Sequence, residues 1–299
     1  MSSLSIFTSM TNPEKRNDPW QEALKCYNDL ADEVIVVGQD WPYEFSWDFI
    51  GKTFQKGFDK CSSDWVIRMD IDYFIHEKDF LKIRKSLNKY IDYPAIAFPQ
   101  YQFFSHDRYQ IKTRLALAFN KNKFPNIKLN GGGDLTLATI DGNLINPKMV
   151  PNLRVPIYQY DSMFRTEEII KEDRYRFAKA WHSYFKEFDG RGGESKEEAY
   201  KAWFNMVKER YPKHSFKIKL EDHPKYIQKK LGSLTKDQFG YDVFGLKSST
   251  KFPKIFFLKG LKEKYINHLL IFTNKLLKKT NYLPIMNLSF TILYVLLFK

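Results

Sequence analysis

The residues best able to do chemistry stand together at Asp70-Ile-Asp72. In an extended chain, residues i and i+2 point the same way, so both carboxylates can face one bound ion. An Asp-x-Asp tripeptide also arises at salt-bridged strand ends, so its meaning depends on what surrounds it. Asn130-Gly-Gly-Gly-Asp134 puts another carboxylate on the most permissive backbone of the chain, as an active-site loop or as a plain glycine turn. It lacks the Lys followed by Ser or Thr that a phosphate-binding P-loop needs, which excludes that site. Asp173 lies in Lys171-Glu-Asp-Arg174, inside a predicted helix. His182, His214 and His223 have no paired ligand spacing and read as structural. Cys26 and Cys61 have no metal spacing either and read as reduced thiols of a cytosolic protein.

The elements around Asp70 and Asp72 give the pair its weight. Residues 4–10 form an apolar strand, and Asp18-Pro19-Trp20-Gln21 opens a helix with Asp18 as N-cap and Pro at the first helical position. A second strand covers residues 34–37, a helix 46–60, and a third strand 64–69, buried on both faces. Strand, helix, strand, helix, strand is the pattern of an α/β fold with a parallel sheet and covering helices. Such sheets bind ligands outside the carboxyl ends of their strands. Three such ends are available here, at residues 8–10, 38–40 and 70–72.

A helix over residues 77–90 and a strand over 95–98 complete this half. Beyond it, the aromatic and basic segments 101–104 and 111–119 predict a less regular, β-rich half built over the sheet edge. Residues 155–161 give a further strand and turn. An amphipathic helix follows over 166–188, and after the glycine-rich loop 189–193 another starts at Ser195, where Ser-Lys-Glu-Glu198 is a capping box. The expected organisation is one domain over residues 1–246, divided at 99/100, and an extension over 247–299.

Composition bounds the partners. The chain has 299 residues, 43% hydrophobic and 17% aromatic, with a formal net charge of +13. Residues 247–299 hold ten lysines and one acid, Glu263, so the tail carries +9 and leaves +4 for the rest. Basicity confined to one end argues against nucleic acid and for an anionic surface met by that end. Residues 252–279 interleave Phe, Leu and Ile with seven lysines, as a basic amphipathic helix does. Residues 283–298 carry no charge but are too short to span a bilayer, which takes roughly 20 residues. The expectation is a peripheral protein at the cytosolic face of a membrane, the alternative being a tail that packs as a helical pair on the domain, with no signal peptide before the first strand.

In order and spacing, the chain resembles the family-2 glycosyltransferases of the GT-A fold over roughly residues 4–245. The segments that carry the resemblance are Ser5-Ile-Phe-Thr8, Ala31-Asp-Glu-Val-Ile-Val-Val37, Gly51-Lys-Thr-Phe-Gln-Lys-Gly57 and above all Asp64-Trp-Val-Ile-Arg-Met-Asp-Ile-Asp72. The resemblance implies a GT-A type open, mostly parallel sheet, Mn²⁺ or Mg²⁺ on Asp70 and Asp72, and a nucleotide-sugar donor. Donor contacts then fall to Thr8, Asp40, Lys52, Gln55, Arg68 and Asp70. In the family the second strand usually ends in an Asp that contacts the nucleoside; Gly38 stands there, leaving Asp40 or backbone to substitute. Where many relatives offer a late His to the metal, this chain offers Gln159. The base that takes the proton of the acceptor hydroxyl would be Asp134, or Asp173 in the Glu-Asp pair that often marks it.

The implied activity is metal-dependent, inverting sugar transfer to a glycan or lipid-linked acceptor in cell-surface polysaccharide or lipopolysaccharide synthesis. Two competitors share the features. One is a nucleotidyltransferase acting on sugar phosphates, although Thr11-Asn-Pro-Glu-Lys-Arg16 stands where its Gly-rich loop belongs. The other is a non-catalytic sugar-binding protein that has kept the fold.

Overall fold

The computed structural model describes residues 2–130, 137–236 and 238–251. Asp134 and the tail beyond residue 251 therefore lie outside the described residues. Strands are β1 (Leu4–Ser9), β2 (Glu33–Val37), β3 (Trp65–Arg68), β4 (Tyr73–Ile75), β5 (Ala95–Ser105), β6 (Arg108–Asn120), β7 (Ile127–Leu129), β8 (Ala138–Ile140), β9 (Asn143–Leu144), β10 (Ile157–Gln159) and β11 (Phe216–Lys217). Helices are α1 (Trp20–Leu30), α2 (Trp47–Lys60), α3 (Phe80–Lys89), α4 (Glu167–Phe185), α5 (Lys196–Arg210), α6 (Lys225–Gly232), α7 (Phe239–Asp242) and α8 (Leu246–Ser249).

The main sheet runs β2-β1-β3-β6-β5-β10-β4, with β11 paired to β6. Within that order β2, β1, β3, β5 and β10 run one way, and only β6 and β4 oppose them. This is an open, mostly parallel sheet with covering helices, as the strand-helix alternation predicts. β3 sits in the interior and β4 at the far edge, so the short link between them crosses the sheet. Asp70 and Asp72 are in that link.

Alternation along the strands feeds two cores. Ile6, Trp65, Ile67, Ile96 and Phe98 join one cluster, under α1, α3 and α6. Their neighbours Phe7, Val66, Ala95 and Ala97 join another, under α2 and β7. Residues i and i+1 of a strand point to opposite faces, so a strand apolar throughout must be covered twice. At Gly57 the cover is tight: a Cβ there would lie 2.4 Å from Cδ2 of Phe7.

The structure differs from the sequence-based expectation in two places. Residues 101–104 and 111–119 do not form a separate layer. β5 runs through residue 99 without a break and pairs with β6 as a long hairpin in the main sheet, with bulges near Phe98 and Phe103. The aromatic residues read as irregular are sheet positions in which the hairpin bends. Asp18 is not the cap of α1 either. Pro19 holds that position and no side chain caps the helix, because Asp18 is buried and paired with arginines. The capping box read at Ser195 is present, with Ser195 accepting from Glu198 N–H, and Thr166 caps the preceding helix by accepting from Ile169 N–H.

The histidines 214 and 223 are fully buried. His223 Nδ1 meets the Tyr160 hydroxyl at 2.7 Å and Nε2 the His106 carbonyl at 2.8 Å. Burial pushes its pKa down to about 4, so it stays neutral. Among the described residues no helix is long and apolar enough to cross a membrane.

Gly57→Ala is expected to destabilise the protein by about 1–3 kcal/mol, because the added methyl must displace the Phe7 ring from a closed core. Chemical denaturation of the two forms, compared at equal slope, measures it.

Candidate active site

Asp70 and Asp72 are positioned from below by α1. The Tyr27 hydroxyl lies 2.6 Å from the Asp70 carbonyl and 2.9 Å from that of Tyr73, and Cys26 Sγ is 3.4 Å from the Ile75 carbonyl. Tyr27 is fully buried, so its hydroxyl fixes the path of the link from inside the core. From the side, β10 pairs antiparallel with β4, placing Gln159 opposite Tyr73. The Asp72 carbonyl accepts from the Tyr160 N–H at 3.0 Å.

Above the link opens a cavity of about 670 Å³, walled by the carboxyl end of β1, the connection from β2 into α2, β10, α4 and α5. Its positive charge is carried by one residue type, facing Asp70, Asp72, Asp161, Asp173 and Asp189. The sequence holds 11 arginines and 37 lysines; seven arginines line the cavity, and no described lysine does. Arginine presents a fixed planar fork to phosphate and carboxylate, where lysine offers only a point charge. Aromatic rings at Trp41, Phe45, Trp47, Phe54, Phe177 and Trp203 make up much of the remaining wall.

The deepest arginines are already engaged. Arg16 and Arg165 both bind Asp18, at 2.8 and 2.7 Å, and both bind Asp173, at 2.6 and 3.2 Å. Burial alone would raise the Asp18 carboxyl, but Arg165 and Arg16 hold it below the usual range. Burial works against the Arg165 guanidinium too, and Asp18, Asp173 and Asp72 push it up. Arg68 stacks 3.9 Å over the Phe54 ring and reaches Asp70 at 2.5 Å. Arg174 lies 3.7 Å from Asp161, and Arg191 is 2.7 Å from Asp189. Arg176 donates to the carbonyls of Tyr43 and Pro42, at 2.7 and 2.9 Å.

Asp72 is the unbalanced member. Burial and the charge of Asp70 raise its carboxyl well above the ordinary carboxylate range, with Arg165 opposing them. Beside it, Gln159 is buried with no hydrogen-bond partner for its Oε1. Two carboxylates and an amide oxygen suit a hard divalent cation. Among the described residues no three His, Cys, Asp or Glu side chains gather as a closed cage. Such an ion would therefore complete its shell with substrate oxygens, as Mg²⁺ commonly does. The donor set fits Mn²⁺ or Mg²⁺ on those terms.

Of the residues singled out from sequence, Arg68, Asp70, Asp72, Gln159 and Asp173 line this one cavity, and Thr8, Asp40, Lys52 and Gln55 do not. Thr8 is a buried strand residue. Asp40 is mostly exposed and pairs with Lys56 at 3.5 Å, and Lys52 pairs with Asp48 at 2.6 Å on the outside of α2. Gln55 is used structurally: its Oε1 accepts from Leu129 N–H at 2.8 Å and its amide donates to Asp59 at 2.7 Å. The helical period explains these placements, since the lining face of α2 carries Trp47, Ile50 and Phe54. Asp173 has both oxygens held by guanidinium groups, which makes it a clamp. Gly38 has φ +84°, a left-handed turn that an Asp would adopt only with strain.

Sequence reasoning missed Asp18, Asp161 and six of the seven lining arginines. One signal was present: arginine is the rarer base in this chain, yet Arg165, Arg174, Arg176 and Arg191 crowd into one short stretch.

No family model matches the chain, and no curated protein matches it. Solved structures do. Staphylococcus aureus TarS 1-349 is 12% identical, with 69% of this chain and 79% of that one covered at a TM-score of 0.36. The same fragment in complex with UDP-GlcNAc is 12% identical, covering 69% and 80%, with a TM-score of 0.35. The mannosyltransferase PcManGT from Pyrobaculum calidifontis, in complex with GDP-Man and Mn²⁺, is 8% identical, covering 93% and 88%, with a TM-score of 0.35. Scores of this size describe a loose likeness of architecture, and the chemistry is read from the cavity's own residues.

Asp72→Asn should stabilise the protein when no divalent ion is present. The folded carboxyl keeps its proton at pH values where the unfolded one, near 3.8, has lost it, so stability falls as pH rises through that window. At pH 7 the variant is expected to melt about 2–4 °C higher, a margin that shrinks as pH approaches 4. Thermal melts in EDTA across this range read the effect.

Proposed function

We propose that this protein transfers a sugar from a nucleotide-sugar donor to a saccharide or lipid-linked saccharide acceptor. The observation that carries this reading is a pair of carboxylates opening onto an aromatic cavity lined by seven arginines, at the carboxyl ends of a mostly parallel sheet. Asp70, Asp72 and Gln159 would hold Mn²⁺ or Mg²⁺. When bound, the ion would act as a Lewis acid on the donor's diphosphate, offsetting the charge that grows on the leaving group.

The chain's own residues divide the remaining work. Arg68, pinned over Phe54 and against Asp70, faces the diphosphate with its geometry set beforehand. Trp41, Phe45 and Phe54 offer apolar faces for the nucleoside, in place of the carboxylate that Gly38 excludes. The acceptor hydroxyl oxygen attacks the anomeric carbon, the bond from that carbon to the diphosphate breaks, and a nucleoside diphosphate leaves. Asp161 is the base that fits best. It lines the cavity and is held by Gln102 at 3.2 Å, Ser162 at 3.1 Å and the longer contact to Arg174 at 3.7 Å. Asp173, clamped between two guanidinium groups, would have to break an ion pair to accept a proton. Asp134 remains the second candidate. The basic tail would bring this chemistry to an anionic membrane surface on the cytosolic side.

A panel of nucleotide-sugars with Mn²⁺, assayed for released nucleoside diphosphate, tests the reaction. Inorganic pyrophosphate as the product would mean nucleotidyl transfer, and no turnover with any donor would leave a binding protein. Asp161→Asn should lower kcat by about 10²-fold or more with folding intact. Asp173→Asn should instead lower stability by several kcal/mol, about 3–5 when a buried pair is broken. If Asp161→Asn keeps full turnover and Asp134→Asn loses it, the base is Asp134.

A further inference from the structure

The acidic link and the aromatic wall from β2 account for a donor, but not for the opposite corner of the cavity. There α5 presents Trp203, Met206 and Arg210 at successive turns, and α4 presents Arg174. Trp203 is almost wholly buried, yet its indole N–H has no partner. The Arg174 guanidinium lies 5.3 Å from the centre of its ring. Arg210 makes no ion pair among the described residues. Arg210 also bears on the buried His214, which burial first, and then the charges of Lys112 and Arg210, push down to about 3.

From this corner, and resting on the reading of the cavity as a nucleotide-sugar site, we infer that the acceptor is an acidic saccharide. Its phosphate or carboxylate group is met by Arg210 and Arg174, and its ring lies against Trp203, beside Asp161. The chemistry of the wall gives each part its partner. A guanidinium facing a partly dry cavity is held at a cost until an anion meets it. The indole N–H needs an acceptor that a sugar hydroxyl or acid oxygen supplies. The donor's diphosphate does not serve here, because its charge would be answered by the cation held on Asp70 and Asp72 and by Arg68. Phosphate and carboxylate share this recognition, and matched probes separate them.

Calorimetry on the full chain tests this, with the donor site filled by a nucleoside diphosphate and Mn²⁺. The probes are trehalose 6-phosphate against trehalose, and cellobiouronic acid against cellobiose. At least one acidic sugar is expected to bind about tenfold or more tightly than its neutral partner. That margin should shrink as salt is raised. Arg210→Gln should remove most of it and Arg210→Lys should retain part, while nucleotide affinity stays as in the parent. Equal binding of acidic and neutral sugars would overturn the inference, as would loss of nucleotide affinity in Arg210→Gln, which would assign the arginine to the donor. If the nucleoside diphosphate itself does not bind, the donor reading fails. The acid-over-neutral margin and its response to Arg210→Gln, measured without nucleotide, then still decide on the arginine corner.

Discussion

Two buried carboxylates and the two partly exposed guanidinium groups paired with them hold together the end of this molecule that carries the cavity. Arg16 and Arg165 each bridge Asp18 and Asp173, and so tie the loop after β1, the start of α1, the turn after β10 and the first half of α4 into one knot. Charges removed from water are costly, and a closed arrangement of two positives and two negatives is what makes the burial tolerable. Removing any one of them would take one of two ion pairs from each of its partners. The positions of α4 and, through it, α5 against the sheet depend on this knot, and with them the far wall of the cavity.

The knot also sets the electrostatics at Asp72. Arg165 is the positive charge that opposes the upward push on that carboxyl, but Asp18 and Asp173 already claim it. Asp72 is thereby left with burial and with Asp70 for a neighbour, so charge is withheld from the position where a cation would bind. An orphaned Gln159 oxygen beside it follows the same logic. A carboxyl held this far above its ordinary range is a common property of sites organised for a charged ligand.

Support for the acidic link is spread through the core. Tyr27 takes its hydroxyl through the apolar layer under the sheet to reach two link carbonyls. β4 continues the link into the far edge of the sheet, where β10 pins it. The result is a short irregular segment held at both ends and from below, the rigidity a binding site needs.

The sequence by itself determined the elements. Short apolar strands buried on both faces, the capping box at Ser195, and the parallel order of the first three strands were legible because each depends on neighbours in the chain. The Asp70-Ile-Asp72 pair was legible as two carboxylates where a strand runs out, but they reach one cavity across a turn closed by the Asp70 carbonyl and the Tyr73 N–H at 2.8 Å, not along an extended strand. Only the tertiary structure decided the company that pair keeps. It showed that Asp18 serves an ion knot and not a helix cap, that Gln55 and Lys52 face away, and that β5 and β6 enter the main sheet. Above all, it brought the four arginines between Arg165 and Arg191 together with Arg16, Arg68 and Arg210 from distant segments around one cavity. Partners that far apart in sequence leave no local periodicity, because the choice between a solvated and a buried charge is made by packing after the chain has folded.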